Sequence, residues 1–180
     1  MALDRLLRGR TTRQQKGRRP VLDLPRTPFE VALELISTGA LAGLCALLAR
    51  SWPALADRVP QHFGPSGRPD AWGSRNILWL FPAMAVGNYL LMTILSRFPQ
   101  TFNYPWPLTE QNAAAQYLLA RTLLVAIKAE ISGLMLFLEW KTIEVASGRS
   151  TGLGEWFLPG FLGVIGVTMG LYFLKAYRAR

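Results

Sequence analysis

Four long apolar runs, separated by short polar or Gly/Pro-rich segments, organise this chain of 180 residues. They cover residues 29–48, 76–95, 120–143 and 156–174. Each is close to the roughly 20 residues that a helix needs to cross a hydrocarbon core. The pattern therefore predicts an all-α integral membrane protein: a four-helix bundle with a structured external loop between its first and second spans. Residues 1–28 form a basic N-terminal segment, and residues 29–180 form the membrane domain.

Polar positions within the runs refine this reading. Glu30 and Glu34 occupy the first two turns of the first run, and Gly39 and Gly43 form a G-x-x-x-G pair suited to close helix contact. Ala54-Leu55-Ala56 has the form of a signal-cleavage site. The apolar run exceeds the usual 7–15 residues of a signal peptide, so the span is expected to stay. In the second run Pro82 predicts a kink, and Asn88 is a polar group that needs a partner. Thr109, with Asn112 three residues on, predicts a helix start near Glu110 and a long helix to Ile143. At about 100° per residue, Glu110, Tyr117, Arg121, Lys128, Ser132 and Glu139 share one face of it. A polar stripe on a membrane helix points inward. Glu34 and Lys128 lie at similar depth, so pairs Glu34–Lys128 and Glu30–Arg121 are expected between the first and third spans. In the last run Gly160, Gly163, Gly166 and Gly170 share a face, expected to be a packing seam.

Charge sets the orientation. Eight of the 20 Lys and Arg residues precede Thr27, within a formal net charge of +9. Placing both termini inside puts twelve basic residues in the cytoplasmic segments and six in the external ones. The positive-inside rule thus predicts cytoplasmic N- and C-termini in a cell inner membrane, with the basic leader against anionic lipid. No aromatic residues interleave with these charges, which argues against nucleic-acid binding. The single cysteine, Cys45, allows no internal disulfide and reads as a small packing residue.

The segment between the first two spans, Pro60-Gln61-His62-Phe63-Gly64-Pro65-Ser66-Gly67-Arg68-Pro69-Asp70-Ala71-Trp72-Gly73-Ser74, resembles the signature of a bacterial membrane family. That family is the domain of unknown function 1648, a domain also found at the front of SdpI-type immunity proteins. Asn103-Tyr104-Pro105, Thr109-Glu110-Gln111-Asn112, Gln116-Tyr117 and the Arg121/Lys128 face resemble its stand-alone members, so the likeness runs over residues 41–143. The resemblance implies a multi-span inner-membrane protein and supplies no catalytic residues. The chain is too short for the second module of the longer SdpI proteins, so their immunity role does not carry over directly.

The loop motif residues Pro60, His62, Phe63, Gly67, Pro69, Asp70, Trp72 and Gly73 offer little chemistry. The only histidine, His62, has Asp57 and Asp70 nearby, whereas a zinc site takes three or four protein ligands, commonly including further His or Cys. No metal and no cofactor are expected, and His62 is expected to bond to loop backbone. The glycines and prolines read as turn-formers, and Phe63 and Trp72 as interfacial anchors. Ser66 and Ser74 complete no recognisable triad, and the glycine spacing fits no phosphate-binding fingerprint. The expectation is a protein without enzymatic activity. It would be an accessory subunit of a larger membrane complex, or a sensor or immunity-like binding protein, with self-association through its Gly-rich spans as a further contact. The alternative is a small oligomeric transporter or proton-coupled carrier. It would use the intramembrane face of Glu30, Glu34, Tyr117, Arg121, Lys128, Ser132 and Glu139.

Overall fold

The structure is a computed structural model that describes residues 19–180. The expectations for most of the basic leader, Arg5 to Arg18, fall outside the described residues. Four long helices dominate: α1 (Pro28–Ser51), α2 (Leu80–Leu95), α3 (Ala113–Ala146) and α4 (Phe157–Arg178). Between α1 and α2 lie two strands, β1 (Arg58–Phe63) and β2 (Pro69–Ser74).

α1 starts where its sequence tells it to. Thr27-Pro28-Phe29-Glu30 is a capping box with proline at the first helical position. The Thr27 hydroxyl accepts from the Glu30 amide at 3.1 Å, and the Glu30 carboxylate accepts from the Thr27 amide at 2.9 Å. The buried residues of α1, namely Glu30, Ser37, Ala40, Leu44 and Leu48, recur every three, four or seven positions and make one inward face. The predicted kink at Pro82 is not a mid-helix break. Residues Arg75–Trp79 form a 3-10 helix, and Pro82 falls in the first turn of α2, where no intrahelical partner for its nitrogen is required. Thr109 and Asn112 do bond reciprocally, at 2.8 and 3.2 Å, but α3 itself begins one turn later, at Ala113.

α3 is the spine against which α1, α2 and α4 all pack. α1 runs parallel to it: Glu30 meets Arg121, Leu44 packs with Met135, and Leu48 with Ile143. α2 runs antiparallel, Thr93 meeting Lys128, Ala85 packing with Met135 and Leu78 with Ile143. α4 is antiparallel too, since Phe157 stacks on Phe137 and the Gln116 amide donates to the Ala176 carbonyl at 2.8 Å. Two apolar clusters fill the interior. One holds Leu44, Ala85 and Met135; the other holds Leu48, Leu55, Val59, Leu78 and Ile143.

The all-α expectation needs a correction, because the loop between the first two runs is an antiparallel hairpin. Its register pairs Arg58 with Ser74, Val59 with Gly73 and Pro60 with Trp72, with irregularities on either side of His62. Val59 and Pro60 are buried against the helices, while β2 is largely exposed. So few inward positions leave hardly any period-two signal, and the Gly/Pro content concealed the strands. The tip turns at Gly67, whose φ of +72° favours glycine. The Gly67 carbonyl then accepts from the Leu153 amide at 2.8 Å, clasping the hairpin to the α3–α4 connection. A side chain at Gly152 would run into that same Gly67 carbonyl.

Among the described residues, three helical segments are long and apolar enough to cross a membrane: Pro28–Ala54, Arg75–Leu95 and Phe157–Arg178. α3 is longer but carries Arg121, Lys128, Glu130, Glu139, Lys141 and Glu144. Two expected packing features are absent. A Cβ at Gly39, Gly160, Gly163, Gly166 or Gly170 would meet nothing within 4 Å among the described residues, and of the helix glycines only Gly43 faces α3, through Leu136. Cys45, expected as a packing residue, is exposed on the outside of α1.

Candidate functional site

The inner line of α3 repeats at three and four residues: Val125, Lys128, Ser132, Met135, Glu139 and Thr142 are all buried. Polar and apolar side chains thus share one packing seam. Where α1 meets this seam, both expected ion pairs form. Arg121 grips Glu30 through Nε at 2.9 Å and Nη2 at 3.0 Å, a two-point contact that fixes the guanidinium plane. It also donates to the Leu24 and Pro25 carbonyls, each at 2.7 Å, tying the segment before α1 to α3. Thr122 adds a bond to Glu30 at 3.0 Å. Glu30 is fully buried, and every oxygen lone pair it offers faces a donor.

One helical level further in, Lys128 Nζ lies 2.6 Å from each oxygen of Glu34 and 3.0 Å from the Thr93 hydroxyl. The ammonium sits 4.4 Å from the centre of the Tyr89 ring, a cation–π contact, and the Tyr89 hydroxyl donates to Glu34 at 3.3 Å. Arg26 stands 3.6 Å from Glu34 on the more exposed side. Lys128 is completely buried and Glu34 nearly so. Beside these pairs opens a cavity of about 440 Å³, lined by Glu30, Glu34, Arg121, Arg26, Ser96 and Arg97 among others.

Sequence reasoning missed the α2 contributors, Thr93 and Tyr89. A threonine and a tyrosine in an apolar run carry no signal of their own until a neighbour's charge is placed beside them. It also missed Glu130, which lies off the stripe and accepts from Thr168 of α4. It missed the T-x-x-E capping box at Thr27 as well, although that spacing is a helix-start signal in its own right.

Other stripe residues fare differently. Ser132 donates back to the Lys128 carbonyl at 2.8 Å. Tyr117 is buried beside Tyr104, with ring centres 5.7 Å apart, and its hydroxyl has no partner. Tyr104 lies in the α2–α3 connection, where burial pushes its phenol above the usual range. Glu139 is fully buried, with both oxygens unpartnered. Asn88 also has its Nδ2 buried without a partner, contrary to expectation.

The hairpin places His62 and Asp70 side by side. His62 Nδ1 lies 2.6 Å from Asp70 Oδ1, so its partner is a carboxylate and not the expected loop backbone; cross-strand proximity decides this. Both side chains are more than half exposed, at 69% and 52%. No group of three or more His, Cys, Asp or Glu side chains converges among the described residues. Pro60 is buried, Phe63 is half-buried and Trp72 exposed, while Gly73 faces Gln61, whose side chain fills the space a Cβ would need. At the same end of the fold Arg149 binds Glu144 at 2.7 Å and holds its carboxyl below the usual range.

Comparison with known proteins identifies part of the chain. A protein described as uncharacterized from Archaeoglobus fulgidus is 33% identical over 89 residues. That alignment takes in 45% of this chain and 49% of the archaeal protein, so it spans about half of the relative's length. No solved structure matches. The family model of a domain of unknown function (DUF1648) matches residues 39–86, from the middle of α1 through the hairpin into the first turns of α2. Residues 39–86 are thus similar to the DUF1648 family model, and the hairpin lies at the centre of the matched segment.

Proposed function

We propose that the chain is a small four-span protein of a cell inner membrane that acts by binding rather than by catalysis, as an accessory subunit of a larger membrane complex. In this reading α3 is the fourth span. At about 1.5 Å per residue its 34 residues are long enough to cross with a turn or more to spare. Its charges are compatible with lipid because Lys128 and Arg121 are neutralised inside the fold. The parallel and antiparallel order of the helices supports bringing the start of α1 and the end of α4 to one face. The basic residues near both favour the cytoplasmic side, which makes the hairpin external.

The observation that carries the binding role is α4. Its contacts within the chain are chiefly with α3, and its apolar window buries nothing else. At 100° per residue, Gly163, Gly166 and Gly170 point opposite the side that bears Phe161, Thr168, Tyr172 and Ala176. Gly160 lies at the edge of that outer face, where glycines give lipid little to pack against and give another apolar helix a close approach. The occupant in this reading is a transmembrane helix of a partner protein. Purification in mild detergent is expected to retain a stoichiometric membrane partner, and Gly166→Leu is expected to release it without unfolding the chain. A chain that purifies alone, with Gly166→Leu indistinguishable, overturns the reading.

One observation favours the second reading, a small proton-coupled carrier: Glu139 is a buried carboxyl with no hydrogen-bond partner among the described residues. Reconstituted vesicles report on it directly, since a carrier moves protons or substrate and an accessory subunit does not.

A further inference from the structure

Glu139 occupies a level of the fold that supplies nothing for a carboxylate. Met135, one turn before it, packs with Leu44 and Ala85; Ile143, one turn after it, packs with Leu48, Val59 and Leu78. Phe81 packs against both clusters. The elements that meet α3 here bring no charge that is left for Glu139. After Glu34, α1 has no charged residue until Arg50, and its one thiol, Cys45, faces outward. The only titratable residue of α2 is Tyr89, already bonded to Glu34. β1 contributes His62, which is turned to Asp70, and Arg58, which donates to the Trp72 carbonyl, while α4 carries no charged residue before Lys175. An ionised carboxylate in such a place carries a large desolvation penalty with no partner to offset it.

We propose that Glu139 is a proton-binding site, loaded from the cavity beneath the hairpin. A proton is the cation that fits, because it needs one oxygen and no cage. A hard metal ion takes six or more oxygens, and no cluster of ligands stands here. The proton bonds to one carboxyl oxygen on loading and leaves from it on release, with no other bond changed. Access is short. A cavity of about 250 Å³ lies under the hairpin, lined by His62, Phe81, Leu138, Thr142 and Leu153 among others. Thr142 is one helical turn from Glu139 on the same face, about 5 Å along the axis. On the other side, Ser132 and then the Lys128–Glu34 pair continue the polar line towards the larger cavity.

The inference deepens the carrier reading, and its test is independent of flux. Infrared spectra of the full chain in lipid are expected to show the carbonyl stretch of a protonated carboxylic acid that Glu139→Gln removes. The same band is expected to shift on transfer to D2O. Leu153→Trp, which fills the cavity, is expected to slow that shift by about tenfold, because local opening then becomes the only route. If that variant fails to fold, Gln61→Trp at the exposed rim serves the same purpose. No band sensitive to Glu139→Gln at any pH where the chain is folded overturns the site. A band whose exchange ignores the filled cavity overturns the loading route. A band that exchanges as expected in a chain without proton flux upholds the site and overturns the carrier.

Discussion

Removing one partner of the Glu34–Lys128 pair should destabilise the chain, and the two removals should differ. Taking away one member of a buried pair costs about 3–5 kcal/mol, because the other charge is left without compensation. In Lys128→Met, Glu34 keeps Arg26 at 3.6 Å, the Tyr89 hydroxyl at 3.3 Å and a side chain that is 14% exposed. The loss should lie near the lower limit, about 3 kcal/mol. In Glu34→Gln the stranded group is an ammonium with no exposure, left without a counter-charge and with only neutral acceptors, the Gln amide oxygen and the Thr93 hydroxyl, beside the Tyr89 ring. Its loss should approach about 5 kcal/mol. The double variant strands neither charge and should return to within about 1 kcal/mol of the parent. Equilibrium unfolding in mixed micelles measures all three. Single losses that add to within about 0.5 kcal/mol of the double would refute a coupled buried pair. A larger loss for Lys128→Met than for Glu34→Gln would refute the claim that Arg26 and solvent partly replace the lysine.

Three further outcomes test the remaining geometry. Gly152→Ala drives a methyl into the Gly67 carbonyl and should release the hairpin from the α3–α4 connection, at about 1–3 kcal/mol; Gly163→Ala, facing open space inside a helix, should instead stabilise by up to about 1 kcal/mol. Amide exchange at Leu153 reports the release. His62→Ala breaks an exposed pair and should cost less than about 1 kcal/mol by thermal unfolding, with no change in bound metal by elemental analysis. The Glu144 carboxyl is held low by Arg149, so their tie is complete above the ordinary carboxylate range and is lost as pH falls through the lowered value. Exchange in the following turn should therefore quicken in acid for the parent, while Glu144→Gln is fast at every pH.

Much of the fold was legible because long apolar helices leave a coarse mark. The apolar runs gave the helices to within a few residues. Glu30 and Glu34 could be matched to Arg121 and Lys128 because charges at equal depth have few other places to go. The hairpin was not legible: its inward positions are Val59 and Pro60, too few to set a period, and its glycines and prolines imitate a loop. The glycine face of α4 was legible as a face, but not which way it pointed. G-x-x-x-G states that a close approach is sterically allowed, and the packing of Phe157, Thr168 and Ala176 on α3 decides that these glycines turn outward. His62 found a carboxylate because the strand register carried Asp70 across to it.

The opposite outcomes within one polar stripe make the division clear. Spacing alone put Tyr117, Arg121, Lys128, Ser132 and Glu139 on one side of one helix, because helical periodicity is a property of the chain itself. It could not distinguish a charge that is matched from one that is stranded. That depends on what α1 and α2 present at each level: two carboxylates, a threonine and a tyrosine near Arg121 and Lys128, and no hydrogen-bond partner at Glu139. Periodicity fixes which way a side chain faces, and only the neighbouring helices fix what it meets there.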